Sequence, residues 1–371
     1  MIEDTSVQRI SRLTPLQAVL GRIDAQIEAV KPQRRAVAAT LGYTLAEDIV
    51  TSERPEHPIA LRDGFAVEAN IVADASSYTP MPLPPPIRRI DVGEPMPESA
   101  DAVLPPDAVV FRGEQAEAVA SVFVGEGVLP AGGDAAAHSL MRRAGERMRS
   151  VDIVTVQAAG IKSALIREPR IAVVLGVEPT LPLGGVPGLL VRAVLQAGAI
   201  VSDGAEMTLD SAVADDTNDA IIAIGGTGSG RRDGAVKALA RLGRVETHGV
   251  AVSPGETTAF GFAGQRPVLL VSGRLDAALV AWLLIGRQIV AKLSGGVVEA
   301  AALTLPLKRK VASAIGMAEV VPVLCKDGMA EPLASGYLSL TALAHSDGWI
   351  LVPAESEGFP AGTAVAVTAW P

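Results

Sequence analysis

Between Arg170 and Gly296 the chain alternates between two hydrophobic patterns. Short continuous apolar runs such as Arg170–Leu175 and Asp219–Ile224 are followed by segments in which apolar residues recur at helical spacing. This alternation predicts a parallel sheet with helices on both faces. Ligands of such sheets bind at the carboxyl ends of the strands, so the loops that follow these runs are the first candidates for a site.

The periodicity gives the bounds of the individual elements in this region. The predicted strands are Arg170–Leu175, Ile200–Ser202, Asp219–Ile224, Val245–Val252 and Val268–Val271, and the predicted helices are Leu189–Ala197, 210–216, 234–243 and Asp276–Leu293. The apolar stretch Ala277–Ile285 is too short to cross a membrane and is bounded by Asp276 and Arg287. It predicts a buried helix.

Elsewhere the pattern changes three times. Residues 15–30 predict an amphipathic helix with a capping box at Thr14–Gln17, and Arg34–Leu45 and Val151–Ala159 predict further helical pieces. Residues 47–138 are rich in proline and carry short apolar runs, which indicates a β-rich insertion, and residues 297–371 predict short strands around one helix near 338–346.

We therefore expect a multidomain α/β protein built on a central doubly wound parallel sheet. Its other parts would be a split helical unit, an inserted β-rich domain and a C-terminal β-barrel-like domain. The predicted domains are a helical linker domain (1–46 plus 139–168), the β-rich insertion (47–138), the α/β domain (169–296) and the C-terminal β domain (297–371).

Composition limits the possible partners. The 371 residues carry a formal net charge of −9, which argues against nucleic acid or an anionic membrane as the main partner. Cys325 is the single cysteine, so an intrachain disulfide is excluded, and with four scattered histidines it has no zinc-site spacing. The acidic, polar N-terminus does not predict a signal peptide. A cytoplasmic location is expected.

The loop after Asp219–Ile224 carries the strongest chemical signal. Four glycines occur between Gly225 and Gly230, together with Thr227 and Ser229, and Arg231, Arg232 and Asp233 follow. A strand, a glycine-rich turn and a helix can present backbone N–H groups to an anion. The spacing fits neither a P-loop nor a dinucleotide-binding fingerprint. On these residues alone, an ordinary flexible turn remains an equal alternative.

Other polar residues gain interest from their position next to strands. The loops Gly176–Glu178, Gly225–Asp233 and Ser272–Arg274 are expected to converge at one edge of the sheet. Glu178 and Asp233 would supply acids there, and Arg231, Arg232 and Arg274 would supply cations, although each could equally be a solvated loop charge. Within the β-rich region, Asp63-Gly64 could form a tight turn or place a carboxylate at its rim.

The chain resembles the molybdopterin molybdotransferases, the family of bacterial MoeA, the plant Cnx-type proteins and the gephyrin C-terminal domain. Seven segments resemble family motifs and follow the family's order through the predicted domains. They are DGFAV (63–67), GEPMPESADAVLPPDAV (93–109), RRAGE (142–146), PRIAVVLGVE (169–178), IIAIGGTGSGRRD (221–233), PGETTAFG (254–261) and SGYLSLTALAHSDGWILVP (335–353).

The resemblance implies an activity and a set of site residues. The family inserts molybdenum from molybdate into adenylylated molybdopterin, with release of AMP and use of Mg²⁺, and works as a homodimer with its active site between the subunits. The resemblance implies that Asp63, Glu178 and Asp233 are catalytic carboxylates and that Glu178 and Asp233 hold Mg²⁺. The implied ligand-binding residues are Gly225, Gly226, Thr227, Gly228, Ser229, Gly230, Arg231, Ser253, Gly273 and Arg274.

The chain also departs from the family at functional positions. Arg147 replaces an aspartate, Val177 replaces the acid before Glu178, and the lysines of the family's KxxxKPGKP motif fall on Gly249, Ser253 and Glu256. Further departures are a hydrophobe near Val186, Thr208 and Leu209 at a pair of acids, and Ser272–Leu275 at the family's PGNP loop. The losses of positive charge support an alternative hypothesis: a catalytically weak or inactive molybdopterin-binding paralogue that acts as a carrier, chaperone or regulator of molybdoenzyme maturation.

Overall fold

The structure, a computed structural model, describes residues 8–177, 185–202, 207–298 and 302–371. It divides the chain into two compact units. The first unit comprises the residues up to Glu47, Ala144–Ser150 and Ser163–Pro371, and the second comprises Asp48–Arg143 and Val151–Lys162. The boundaries of the four predicted domains are not tested by this division and stay a prediction.

The helices and strands of the described residues are as follows. The α-helices are α1 (Leu16–Gln26), α2 (Ser150–Ala158), α3 (Val186–Gln196), α4 (Leu209–Ala214), α5 (Ala235–Leu242), α6 (Leu275–Ala281), α7 (Arg287–Ser294) and α8 (Leu340–His345). The first strands are β1 (Gln33–Ala36), β2 (Thr44–Leu45), β3 (Ile49–Val50), β4 (Ile59–Ala60), β5 (Gly64–Val67), β6 (Met81–Pro82), β7 (Arg88–Ile90), β8 (Ala102–Leu104), β9 (Val109–Arg112), β10 (Gln115–Ala118), β11 (Val128–Leu129), β12 (Leu140–Arg142) and β13 (Ser163–Arg167). The remaining strands are β14 (Arg170–Leu175), β15 (Ile200–Ser202), β16 (Ala220–Ile224), β17 (Arg244–His248), β18 (Val252–Ser253), β19 (Ala259–Ala263), β20 (Arg266–Val271), β21 (Ala302–Pro306), β22 (Val311–Ala312), β23 (Ala318–Lys326), β24 (Met329–Pro332), β25 (Gly348–Val352), β26 (Gly358–Phe359) and β27 (Ala364–Ala369).

The central sheet of the first unit has the order β15-β14-β16-β20-β19-β17. Its first four strands are parallel, with Ala172 opposite Ile221 and Ile222 opposite Leu269. The last two are antiparallel to their neighbours, because β19 and β20 form a hairpin around Gly264. The expectation of a wholly parallel sheet was wrong at this edge, since the short Ala259–Ala263 run was not predicted as a strand.

Both faces of this sheet are covered, which explains why its strands are continuous apolar runs. Alternate residues face opposite sides: Ile171 and Val173 pack in one cluster with α1, α3 and the α6–α7 region, whereas Ala172 and Val174 pack in another with α4 and α5. Strand β14 has the predicted bounds, Arg170–Leu175. The predicted bounds of β15, β16 and α5 also agree with the observed bounds to within one residue.

The segment Leu275–Ser294 is one long apolar helix in which a π-helical turn, Trp282–Gly286, joins α6 to α7. Its length and composition would allow it to cross a membrane, but 78% of its most apolar window is buried inside the protein. Trp282 is 1% exposed. The helix is therefore a core element, in agreement with the buried helix predicted for Ala277–Ile285.

Three predictions near the N-terminus were wrong. The capping box at Thr14 does not form: Pro15 occupies the N-cap of α1 without a side-chain cap, and Thr14 bridges instead to the chain around Val250. The helix also ends at Gln26 and not at residue 30. The helical piece predicted at Arg34–Leu45 is replaced by strand β1, a 3₁₀ turn and strand β2, because β13 pairs with both strands.

The second unit is β-rich. It contains the three-stranded sheets β6-β10-β9 and β7-β5-β8 and the two-stranded sheets β11-β4 and β12-β3. Its core includes Phe65, Leu104 and Val109.

In the first unit, β18-β23-β25-β27-β21 form a second sheet, with β24 paired to β23. This confirms strands in the C-terminal region. The barrel-like closure and the split helical unit stay predictions.

Candidate functional site

A cavity of about 190 Å³ lies at the carboxyl ends of two neighbouring parallel strands of the central sheet, β16 and β20. Three loops line it: residues 226–228 after β16, Gly255–Thr257 after β18, and Ser272–Arg274 after β20. Asp233 and Ala277 complete the lining. Two of the loops that the sequence analysis expected to converge are therefore brought together at the expected edge of the sheet.

The glycines at the start of the loop are required by the backbone. Gly225 and Gly226 have φ values of +87° and +75°, in the left-handed region that side chains disfavour. A Cβ atom on Gly226 would also lie 2.6 Å from Cγ1 of Val177 and 3.0 Å from Cβ of Ala235. The loop can thus pass closely between the end of β14 and the start of α5, which favours the cavity-forming turn over a flexible connection.

Asp233 closes the loop on itself. Its Oδ2 accepts a hydrogen bond of 2.7 Å from the Gly230 N–H, and its own N–H donates to the Gly230 carbonyl at 3.0 Å. The carboxylate also lies over the chain at Gly228, where an added Cβ would be 2.7 Å from Oδ2. Asp233 is thus one of the residues that shape the cavity as well as one that lines it.

Three side chains that sequence reasoning missed hold the same loop. Gln8, which is 5% exposed, donates through Nε2 to the carbonyls of Gly226 (3.1 Å) and Gly228 (2.7 Å). His248 Nε2 lies 2.9 Å from the Thr227 carbonyl, and Thr227 and Thr257 share a hydroxyl–hydroxyl bond of 2.9 Å. No local sequence pattern could have found Gln8, since 218 positions separate it from Gly226.

The charged residues of the lining include more acids than bases, so the cavity is net negative. Asp233 and Glu256 contribute carboxylates, and Arg274 is the one cation among the described lining residues. Arg274 is already paired with Asp276 through two contacts, Nε to Oδ1 (3.2 Å) and Nη2 to Oδ2 (2.7 Å). The hydrogen bond to Asp276 is the main cause of its raised pKa. The carboxylates of Asp233 and Glu256 therefore face a cation whose charge is largely balanced.

Three family models match the chain. The MoeA N-terminal region (domain I and II) matches residues 14–160, a probable molybdopterin binding domain matches residues 192–292, and the MoeA C-terminal region (domain IV) matches residues 304–370. The chain belongs to the MoeA family. This places it in molybdenum cofactor biosynthesis. Every residue of the cavity lining lies inside the segment matched by the molybdopterin binding model.

This MoeA-family chain is similar to two molybdopterin proteins and to a solved structure. A putative molybdopterin biosynthesis protein of Methanocaldococcus jannaschii is 25% identical, with 96% of this chain and 98% of that protein covered. Molybdopterin molybdenumtransferase 1 of Mycobacterium tuberculosis is 24% identical, with 73% and 76% covered. The crystal structure of a MoeA protein from Pyrococcus horikoshii aligns with a TM-score of 0.75 at 23% identity, with 97% and 100% covered, and shows that the fold is shared.

Within this MoeA-family fold, the predicted site residues fall into groups. Gly226, Thr227, Gly228, Gly273 and Arg274 line the cavity with Asp233, and Gly225 precedes them at the end of β16. Ser229, Gly230 and Arg231 are exposed and are not among the lining residues, and Ser253 is half-buried in β18. Asp63 is an exposed residue of the second unit whose Oδ1 accepts a 2.8 Å hydrogen bond from the Val92 N–H. Glu178 lies outside the described residues.

The donor set of the cavity fits Mg²⁺ in kind. Asp233 and Glu256 each use one carboxylate oxygen for a backbone N–H, of Gly230 and Gly255, and each has a second oxygen. Mg²⁺ is usually held by one or two carboxylates together with substrate phosphates. No cluster of three or more His, Cys, Asp or Glu side chains suited to a metal occurs in the part of the chain that the structure describes. The predicted pairing of Glu178 with Asp233 stays a prediction.

Proposed function

We propose that this protein binds a molybdopterin-type ligand in the glycine-loop cavity, and that it acts in molybdenum cofactor biosynthesis as a carrier or regulatory paralogue with weak or no molybdenum-insertion activity. The observation that carries the proposal is the pairing of Arg274 with Asp276 beside two further carboxylates. A cavity that is efficient with an adenylylated, polyanionic substrate would be expected to leave its cation available to that substrate.

Ligand binding itself is supported by three features. The cavity lies at the carboxyl ends of parallel strands, where α/β sheets bind their ligands. Its glycine loop lines the cavity with residues 226–228, as phosphate-binding loops line their sites. Carboxylates such as Asp233 and Glu256 can accept hydrogen bonds from the N–H groups of a pterin ring, so the negative lining suits the ring while it disfavours additional anionic groups.

Molybdenum insertion is the second candidate function. It is supported by the two carboxylates of the lining, because a Mg²⁺ ion held by Asp233 and Glu256 could offset the charge of the ligand's phosphate. The named molybdenumtransferase relative supports it as well. In this case Asp63, Glu178 and Asp233 would be the catalytic carboxylates, with molybdate and adenylylated molybdopterin as substrates.

One pair of measurements separates the two functions. Titration calorimetry with molybdopterin, with and without Mg²⁺, tests binding, and release of AMP from adenylylated molybdopterin in the presence of molybdate and Mg²⁺ tests turnover. We expect binding with little or no AMP release. Rapid AMP release would replace the first function with the second, and failure to bind molybdopterin under either condition would contradict both.

The assembly and location also remain proposals. By resemblance to its family the protein is proposed to form a homodimer in the cytoplasm. A monomeric mass by light scattering at micromolar concentration would contradict the dimer.

A further inference from the structure

The carbonyl groups of three successive peptides in the glycine loop are all held by side chains that do not line the cavity. Gln8 Nε2 bonds to the carbonyls of Gly226 and Gly228, and His248 Nε2 bonds to the carbonyl of Thr227. A carbonyl oxygen can only accept, so His248 must carry its proton on Nε2. The Gly226 carbonyl accepts a second bond from the Ala235 N–H at 3.1 Å.

The direction of the carbonyls fixes the direction of the neighbouring N–H groups. The three peptide bonds are trans, and in a planar trans peptide the C=O and the N–H of the next residue point in opposite directions. Because the carbonyls of Gly226, Thr227 and Gly228 are turned toward Gln8 and His248, the N–H groups of residues 227–229 point the other way. Residues 226–228 line the cavity and neither Gln8 nor His248 does.

We propose that Gln8 and His248 are positioning residues that turn the N–H groups of Thr227, Gly228 and Ser229 toward the cavity, where they form the binding site for the phosphate of the ligand. Three convergent N–H groups make an anion-binding concavity without any lysine. Only the identity of the ligand in this proposal rests on the proposed function. The orientation of the loop stands on the hydrogen bonds alone.

Gln8 reaches the loop because the segment from Gln8 to Thr14 is fixed to residues 249–251, which follow β17. The Thr14 N–H donates to the Gly249 carbonyl at 2.9 Å, and the Thr14 carbonyl accepts from the Ala251 N–H at 2.8 Å. Gly249 has a φ of +95°, and a Cβ atom there would lie 2.4 Å from Cγ2 of Ile10. Packing of this segment therefore explains why a glycine stands where the family resemblance aligns a lysine.

The test compares variants that lose the donor with one that keeps it. Gln8→Met and His248→Leu remove a donor at similar size, His248→Gln retains a side-chain N–H, and Ile10→Val perturbs the packing of the same segment without touching either bond. Amide exchange of Gly230, Asp233 and Ala235, whose N–H groups close the loop, is measured by NMR on the free protein. Molybdopterin affinity is measured by calorimetry.

We expect faster exchange at these three amides in Gln8→Met and His248→Leu, with a loss of molybdopterin affinity of roughly tenfold for each lost hydrogen bond. His248→Gln should restore both values, and Ile10→Val should leave them near wild type. Bound molybdopterin should protect the amides of Thr227, Gly228 and Ser229. Unchanged exchange in Gln8→Met, or no protection of these amides by a ligand that binds, would overturn the proposal. Failure of the wild type to bind molybdopterin, while exchange responds to Gln8→Met, would overturn the proposed function and leave the positioning role supported.

Discussion

Arg274 and Asp276 form a two-contact ion pair at the rim of the glycine-loop cavity. Asp276 is 3% exposed in the first turn of α6, and besides the two arginine contacts it accepts a hydrogen bond from the Ala277 N–H at 2.8 Å. The guanidinium also lies 5.6 Å from the ring centre of Tyr337. The one cation among the described lining residues is thus paired with an acid of its own segment. The positive charge available to a bound anion is therefore smaller than the residue composition of the lining suggests.

Substitution of Asp276 should release this cation. Asp276→Asn leaves Arg274 with an unbalanced charge next to the cavity, and at contact distance one such charge is worth about 1–4 kcal/mol for a bound anion. We expect tighter binding of pyrophosphate at low ionic strength, measured by calorimetry. The free energy of unfolding should fall by about 1–3 kcal/mol, because hydrogen bonds to a charged acceptor are lost. Asp210→Asn, which breaks the exposed pair with Arg241 at 3.1 Å, is the control and should change neither value appreciably. Equal pyrophosphate affinity in Asp276→Asn and wild type would contradict the role given to the pair.

Glu256 should weaken anion binding directly. It lines the cavity at a position where the family resemblance aligns a lysine. Glu256→Lys changes the local charge by two, so pyrophosphate affinity at low salt should rise by roughly tenfold or more, and the gain should shrink as salt is added. Glu355→Lys makes the same change in net charge at an exposed site between β25 and β26. If both variants bind equally well, only the overall charge matters and Glu256 has no local effect.

Asp233 should have two separable effects. Asp233→Asn keeps an oxygen that can accept from the Gly230 N–H but removes the charge, whereas Asp233→Ala removes both. We expect the Gly230 amide to exchange faster in Asp233→Ala and at a near-native rate in Asp233→Asn, as measured by NMR. Any Mg²⁺ dependence of molybdopterin binding should weaken in both variants. Native exchange in Asp233→Ala would show that the carboxylate does not hold the loop.

The strands and the glycine loop could be predicted because their causes are local. Strand β14 is buried on both faces, so its residues form a continuous apolar run. Gly225-Gly226 follow the neighbouring strand β16 at a turn that needs positive φ. The prediction of a site at the ends of these strands followed from the order of elements alone.

The rest of the site depends on contacts between distant positions. Gln8 holds a loop more than 200 residues away, and no motif marks it. The ion pair between Arg274 and Asp276 could not be predicted either. The charge pattern of the sequence shows a cation near the loop but not the direction of its side chain. Thr14 illustrates the same limit in the fold. Its capping pattern predicted a box that does not form, because the backbone of Thr14 pairs with the chain around Val250.

Gly226 should be the least replaceable glycine of the loop. Gly226→Ala places a methyl group 2.6 Å from Cγ1 of Val177 at a φ of +75°, so the left-handed strain of about 1–2 kcal/mol is added to an overpacking cost of about 1–3 kcal/mol. Gly264→Ala in the β19–β20 hairpin has a similar φ of +63° with no atom within 4 Å, so it should show the strain alone. Urea unfolding of both variants measures the difference. Equal destabilisation would mean that the close approach of Val177 and Ala235 is relieved without cost.

Asp219 should make the stability of the first unit depend on pH. Its carboxylate is half-buried before β16, where it accepts a 2.7 Å hydrogen bond from the Arg170 N–H, and burial is the main cause of its raised pKa. A carboxyl whose native pKa lies above the unfolded value of about 4 contributes most to stability below that pH, and this contribution falls as the pH rises through the native pKa. Asp219→Asn keeps an acceptor for Arg170 and removes the ionisation. Thermal unfolding should therefore show the variant to be more stable than wild type at pH 7, with the difference disappearing below about pH 4. A difference that stays constant between these pH values would show that the ionisation of Asp219 is not its source.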